Sequence, residues 1–244
     1  MKTCAAIWTA ISLFTAAPGL AAGCRDMVFE GVPFAVCEAD PATDDIRLFL
    51  KDAGGSTYGT FANVEDAVGA LVWAMNGGMY HPDRRPVGLY IEDGEELAPI
   101  VTREGPGNFG LLPNGVLCIA GGTARIIESR LFAEERPACR YASQSGPMLV
   151  IGERLHPRFI PGSASRFIRN GVGVARDGKL VAAISNAPVN FHRFARFFRD
   201  VLNTPDALYI DGKVSRLYSP ELGRHDIGFP MGPILGVIAD APTD

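Results

Sequence analysis

Four short polar segments hold the side chains best suited to chemistry. Asn76-Gly77-Gly78-Met79-Tyr80 closes an apolar run, Ala70–Met75. An asparagine at a strand end offers both a donor and an acceptor. Paired glycines let the backbone come close to a ligand, although the same residues also spell an ordinary tight turn. Arg169-Asn170-Gly171 precedes another apolar run, and a guanidinium followed by small residues suits bidentate capture of a phosphate. Gln144-Ser145-Gly146-Pro147 is a polar, turn-forming entry to a strand. Ser145 has no base beside it in sequence, so it does not read as a nucleophile. Asp211-Gly212-Lys213-Val214-Ser215 contains a carboxylate that could activate water or stabilise a cationic carbon. By pattern alone, Asp-Gly between apolar flanks is a hairpin turn.

Other motifs carry less. Gly105-Pro106-Gly107-Asn108-Phe109-Gly110 matches a dinucleotide fingerprint in letters, but Leu111-Leu112-Pro113-Asn114-Gly115 follows where a helix is required. It reads as a glycine-rich loop. His81, His156, His192 and His225 are scattered without metal-ligand spacing, and no CxxC occurs. No cofactor is expected. A divalent metal on Asp211 is conceivable as oxygen chemistry, but the spacing of other ligands does not support it.

These segments must be held by a framework of short strands. Apolar runs occur at Ile46–Leu50, Ala70–Met75, Val87–Ile91, Val116–Ile119, Met148–Ile151, Val172–Ala175, Leu180–Ile184 and Ala207–Ile210. Asp93-Gly94, Asn114-Gly115 and Asp177-Gly178 lie between such runs and predict hairpins, the clearest from Val172 to Ser185. One helix is predicted over Phe191–Leu202, capped by Asn190, with Phe191, Phe194, Phe198 and Leu202 on one face. A second is predicted over Asn63–Val72 with Asn63 as cap and Glu65 and Asp66 in its first turn. The pattern predicts an α+β (mixed α/β) single domain, a twisted mixed and largely antiparallel sheet with a few helices.

The N-terminus carries Lys2, an apolar stretch from Cys4 to Ala17, and small residues at Ala21, Ala22 and Gly23, the layout of a secretory signal peptide over residues 1–22. Residues 23–244 then form the domain. Cys24, Cys37, Cys118 and Cys139 remain, an even number that predicts disulfides in an oxidising compartment. Three connectivities are open, and proximity favours Cys24–Cys37 with Cys118–Cys139. Leu20-Ala21-Ala22-Gly23-Cys24 also loosely resembles a lipobox, which would make Cys24 a lipidated terminus and leave Cys37 unpaired. The expected location is secreted or periplasmic, without a transmembrane segment. The formal net charge of −4 argues against nucleic acid as a partner. Nothing in the sequence sets an oligomeric state.

Taken in order, Asn76–Tyr80, QSGPMLVIGERL (144–155), RNGVGVARDGKLVAAIS (169–185), NFHRFARFFRDVL (190–202) and ALYIDGKVSRLY (207–218) resemble the phosphodiester glycosidase family, also called uncovering-enzyme-like, and in particular its secreted bacterial branch. The resemblance runs from about Asn76 to the C-terminus. It implies a hydrolase acting on a glycosyl phosphodiester, since the characterised mammalian member removes N-acetylglucosamine from a sugar–phosphate diester on lysosomal glycoproteins. By that resemblance, Asp211, Arg169 and Asn76 are the expected catalytic set. Arg169, helped by Lys213, would hold phosphate. Gly77, Gly78, Gln144, Ser145, Gly146, Asn170, Gly171, Gly212, Lys213 and Ser215 would bind the carbohydrate or glycosyl-phosphate substrate. The family ending usually reads Asp-Gly-Gly-x-Ser; here Lys213 replaces the second glycine, which leaves a non-catalytic envelope module binding a glycan or protein as the alternative.

Overall fold

A computed structural model describes residues 22–240, so residues 1–21 of the predicted leader lie outside the described residues. Each apolar run named above contributes a strand. The first strands are β1 (Gly23–Phe29), β2 (Val32–Ala39), β3 (Asp45–Phe49), β4 (Leu71–Asn76), β5 (Tyr90–Glu92) and β6 (Glu95–Ala98). Then come β7 (Gly115–Ala120), β8 (Thr123–Glu128), β9 (Tyr141–Ser145), β10 (Met148–Ile151), β11 (Arg154–Leu155) and β12 (Asn170–Val174). The last are β13 (Leu180–Ser185), β14 (Asp206–Asp211), β15 (Leu217–Ser219), β16 (Arg224–His225) and β17 (Ile234–Ile238). Helices are short: α1 (Phe61–Val68), α2 (Ser129–Glu135) and α3 (Phe191–Arg196), the last running on as a π-helical turn over Phe197–Val201.

The fold is α+β, as expected, but the strands divide among three sheets rather than one. Their orders are β1-β2-β13-β12-β14-β10-β11, β16-β15-β4-β17-β3 and β6-β5-β9-β7-β8, and every pairing between them is antiparallel. A shared core joins them: Ala35, Val172, Ala182 and Leu208 from the first sheet, Trp73 and Leu235 from the second, and Tyr90, Leu117 and Tyr141 from the third. The alternate residues of the first sheet, Phe34, Val36, Val181, Ala183, Ala207 and Tyr209, face Phe194, Phe197 and Phe198 of the helical segment. Strands covered on both faces have no polar side to show, which is why their sequences read as unbroken apolar runs.

The helix predicted from Phe191 forms with Asn190 as its cap, the Asn190 Oδ1 accepting from Arg193 N at 2.9 Å. The other helix is displaced. Its cap is Thr60, whose Oγ1 accepts from Asn63 N, while the Asn63 side chain turns back to Tyr58 O. It ends at Gly69, where φ is +93°, freeing the chain to enter β4. Hairpins form at Asp93-Gly94 and Asp177-Gly178, as predicted. Asn114-Gly115 is not a turn: Asn114 is buried, and its Nδ2 holds Phe109 O at 2.9 Å. The β7–β8 reversal falls at Gly121-Gly122, both with positive φ.

Cys24 bonds Cys37 across β1 and β2, where the two stand directly opposite, and Cys118 bonds Cys139. A sulfur in that bond cannot also carry a lipid, so this pairing is incompatible with the lipidated alternative for Cys24. No helix among the described residues is long and apolar enough to cross a membrane.

Candidate functional site

Asp211 is the last residue of β14, and the chain does not turn back there. Instead residues 212–216 carry it from the first sheet to the second, where β15 lies against β4. The expectation of a hairpin at Asp211-Gly212 is therefore overturned. The register of β14 against β12 slips between Gly171↔Tyr209 and Asn170↔Asp211, so Ile210 is an extra residue. Such a bulge redirects the strand end and its side chain.

The crossing segment borders a cavity of about 400 Å³. Its walls are Met79, Tyr80, Val87 and Phe167, its polar groups those of Asn108, Tyr209, Asp211 and Lys213, with Gly107, Gly212 and Val214 completing it. Asp211 is the only carboxylate among these residues. Its Oδ1 accepts from the backbone N–H of Gly212 at 2.5 Å and of Lys213 at 2.7 Å. These two bonds fix the carboxylate and the turn together, and the hydrogen bonds of Asp211 leave Oδ2 uncommitted.

Asn76 and Asn170, both fully buried, hold this segment at its two ends. Asn170 Nδ2 donates to Asn76 Oδ1 at 2.6 Å, and Asn76 Nδ2 returns to Asn170 Oδ1 at 3.3 Å. Asn170 Oδ1 also accepts from Asp211 N at 2.9 Å, and Asn76 Oδ1 from Arg216 N at 3.0 Å. The reciprocal amide pair thus ties β4 to β12 and anchors Asp211 at one end of the crossing and Arg216 at the other. Ser215 Oγ sits 3.0 Å from Asp211 O and 3.2 Å from Ile168 O, pinning the middle. Side-chain amides suit this task because each supplies donor and acceptor where backbone ladders end.

Arg169 is placed beneath the site rather than in it. It is 1% exposed; its Nε donates to Val189 O at 2.9 Å and its Nη2 to Ser165 O at 3.3 Å. Its Nη1 meets no acceptor, and the guanidinium lies 3.6 Å from the Phe191 ring centroid, with the Phe167 and Tyr209 rings at 5.3 and 5.4 Å. Burial lowers its pKa from the ordinary arginine value. The expected phosphate ligand is therefore enclosed by rings and carbonyls. Burial also raises the phenol pKa of Tyr209 well above the usual tyrosine value, with Arg169 opposing the rise.

Most of the remaining expected binding residues face protein. A Cβ on Gly77 would lie 2.7 Å from Leu235 N, and one on Gly78 2.6 Å from Ser143 Oγ. Those glycines are required by the approach of β17 and β9. Gly146 is crowded by Asn114 and Gly171 by Leu208 O. Gln144 Oε1 accepts from Leu89 N and Val101 N, and its Nε2 donates to Val101 O and Ser129 Oγ, so its amide is consumed in fastening the 99–101 segment. Ser145 Oγ donates to Ile210 O at 3.1 Å. Of the expected binding glycines only Gly212 reaches the cavity, where a Cβ would meet the Tyr209 hydroxyl.

The cavity's aromatic residues, Tyr80, Phe167 and Tyr209, are not among the site residues expected from the sequence. Tyr80 closes Asn76–Tyr80 and was within reach of the motif; Tyr209 sits two residues before Asp211, where period-2 spacing could have exposed it. Asn108 and Phe167 come from loops, and no periodicity marks them. Among the described residues, no group of three His, Cys, Asp or Glu gathers as a metal site would need.

Comparison with known proteins agrees with this architecture. Residues 69–223 match the model of the family described as phosphodiester glycosidase. The chain is 36% identical over 182 residues to the uncharacterized protein YigE of Escherichia coli K12, covering 73% of this chain and 71% of that one. In three dimensions it is similar to the catalytic domain of zebrafish N-acetylglucosamine-1-phosphodiester alpha-N-acetylglucosaminidase, auto-inhibited by its pro-peptide. That likeness has a TM-score of 0.63 at 14% identity and covers 90% of this chain and 82% of that one. A hypothetical protein from Synechocystis aligns with a TM-score of 0.58, also at 14% identity, over 88% of this chain and 61% of its own. The fold is of the class these solved structures share, and the chain belongs to the phosphodiester glycosidase family.

Proposed function

We propose that this chain is a hydrolase that cleaves a glycosyl phosphodiester, at the sugar C1–O–P linkage, in glycans of the cell envelope. The observation that carries the reading is a cavity whose lining residues include one carboxylate, Asp211, beside cationic and phenolic groups. An ordinary glycosidase pairs two carboxylates, because a sugar alkoxide must be protonated as it leaves. A phosphomonoester is a far better leaving group and departs as an anion, so a cation can stand where the acid would. Asp211, fixed through Oδ1, would present Oδ2 to a water or to the developing positive charge at C1. Lys213 would face the departing phosphate, and Asn76 with Asn170 would act by positioning rather than by touching substrate. Family membership supports the reaction class.

The two disulfides support an oxidising location, periplasmic or extracellular. A binding module on the same fold is the alternative; the observation favouring it is Lys213 lining the cavity, where a charged side chain narrows the space for a sugar. Hydrolysis of a panel of chromogenic sugar-1-phosphodiesters separates the two. Turnover by the wild type that disappears in Asp211→Asn is the expected result; a folded wild-type protein inert across the panel, with and without added divalent metal, would favour the binding module.

A further inference from the structure

With Arg169 enclosed, the anion needs other cations, and three stand on the segments that border the cavity. Lys213 lines it. Arg84 stacks over Tyr80, its guanidinium carbon 5.4 Å from the ring centroid, and Tyr80 is itself a wall of the cavity. Arg216 leaves the crossing segment at the position that Asn76 Oδ1 anchors. Its guanidinium occupies the space above Gly228, where a Cβ would come within 2.3 Å of Nη2. Burial raises the Tyr80 phenol pKa, the Asp211 charge adds to the rise, and the charges of Arg84 and Arg216 oppose it.

None of the ion pairs among the described residues involves Arg84, Lys213 or Arg216. The acid nearest Arg84 in sequence, Asp83, is paired with Arg85 at 2.6 Å. On a chain of net charge −4, three cations without ion-pair partners on the segments that border the cavity run against the overall sign. Such cations concentrate anions, and a guanidinium is shaped to grip two phosphate oxygens at once.

We propose that Arg84 and Arg216, together with Lys213, hold the phosphate of the substrate, with Gly228 kept small so that the Arg216 guanidinium can lie over the 226–229 loop. This rests on the reading of the cavity as a glycosyl-phosphate site, but its test does not require turnover. The probes are inorganic phosphate and a hexose 1-phosphate, with the free hexose as uncharged control, titrated by calorimetry into the full chain bearing Asp211→Asn. Arg216→Gln and Arg84→Gln should each weaken phosphate binding on the order of tenfold, the worth of one charge-assisted contact. Gly228→Ala, which removes no charge, should weaken it several-fold by displacing the end of a flexible side chain. Unfolding midpoints of the two arginine variants should match the parent. Unchanged phosphate affinity in the Arg84→Gln/Arg216→Gln double variant, or no phosphate binding by the parent, overturns the proposal. Phosphate binding lost in the arginine variants, in a protein that hydrolyses no diester, would sink the hydrolase reading and keep the anion site. Hydrolysis indifferent to both arginines would do the reverse.

Discussion

Replacing Asn170 by alanine tests whether the buried amide pair organises the site. The side chain donates to Asn76 Oδ1 at 2.6 Å and accepts from Asp211 N at 2.9 Å and Asn76 Nδ2 at 3.3 Å. Each buried hydrogen bond contributes a net of about 1 kcal/mol, and an orphaned buried group costs about 1–3 kcal/mol more. Two good bonds are lost and the Asp211 N–H is left without its acceptor, so a cost of about 3–4 kcal/mol is expected. For a domain of this size that is a fall in melting temperature of roughly 6–16 °C. Urea unfolding followed by fluorescence of Trp73, which lies in the shared core, reads the stability directly. The activity arm uses conditions in which the variant is fully folded. There, turnover should still collapse, because Asp211 has lost its backbone anchor. Asn76→Ala should be strongly non-additive with Asn170→Ala, since the two amides satisfy one another. A loss below about 1 kcal/mol, with turnover retained, would refute the claim that this pair positions the carboxylate.

Three other outcomes follow from the same geometry. Gly77→Ala should destabilise by about 1–3 kcal/mol, because its Cβ meets the Leu235 backbone, whereas Gly212→Ala, crowding the Tyr209 hydroxyl, should lower turnover with a small effect on unfolding; comparing the two by melting and by assay checks the division between framework and site. Converting Cys118 and Cys139 to serine, or Cys24 and Cys37, should cost about 3 kcal/mol for each bridge, given loops of 21 and 13 residues, read as a shift in the denaturation midpoint under non-reducing conditions. His156 is buried, accepts from Arg158 N and contacts Leu112 O, and burial holds its pKa below the usual histidine value. With the folded pKa depressed, the unfolded chain binds more protons as the pH drops, so stability present above about pH 6.5 is lost on acidification; His156→Phe should flatten that portion of the stability–pH curve relative to wild type.

The strands of the first sheet were legible because they are buried on both faces, and burial on both faces leaves a one-letter record: Val172–Ala175, Leu180–Ile184 and Ala207–Ile210 have no polar alternation to confuse. Asn190 was legible as a cap because capping is satisfied within four residues. The cysteine pairing was favoured by proximity alone, and the register of β1 against β2 realises it for Cys24 and Cys37. Local patterns of this kind also carried the ordered segments that mark the family.

Roles at the site were another matter, because they depend on which groups meet across long separations. Asn76 and Asn170 are 94 residues apart, and no spacing rule relates them. Asp211-Gly212 has the letters of a hairpin, yet β14 is already flanked by β12 and β10 and β15 pairs with β4, so the same letters make a crossing between sheets. Arg169 has the chemistry of a phosphate ligand, but Phe191 and Tyr209 enclose it once the helix packs on the sheet. Residue type and order therefore specify the framework, through short-range periodicity and burial, and the five ordered segments mark the family by resemblance. Which polar groups face the cavity follows from the packing of three sheets, and packing is a property of the whole chain.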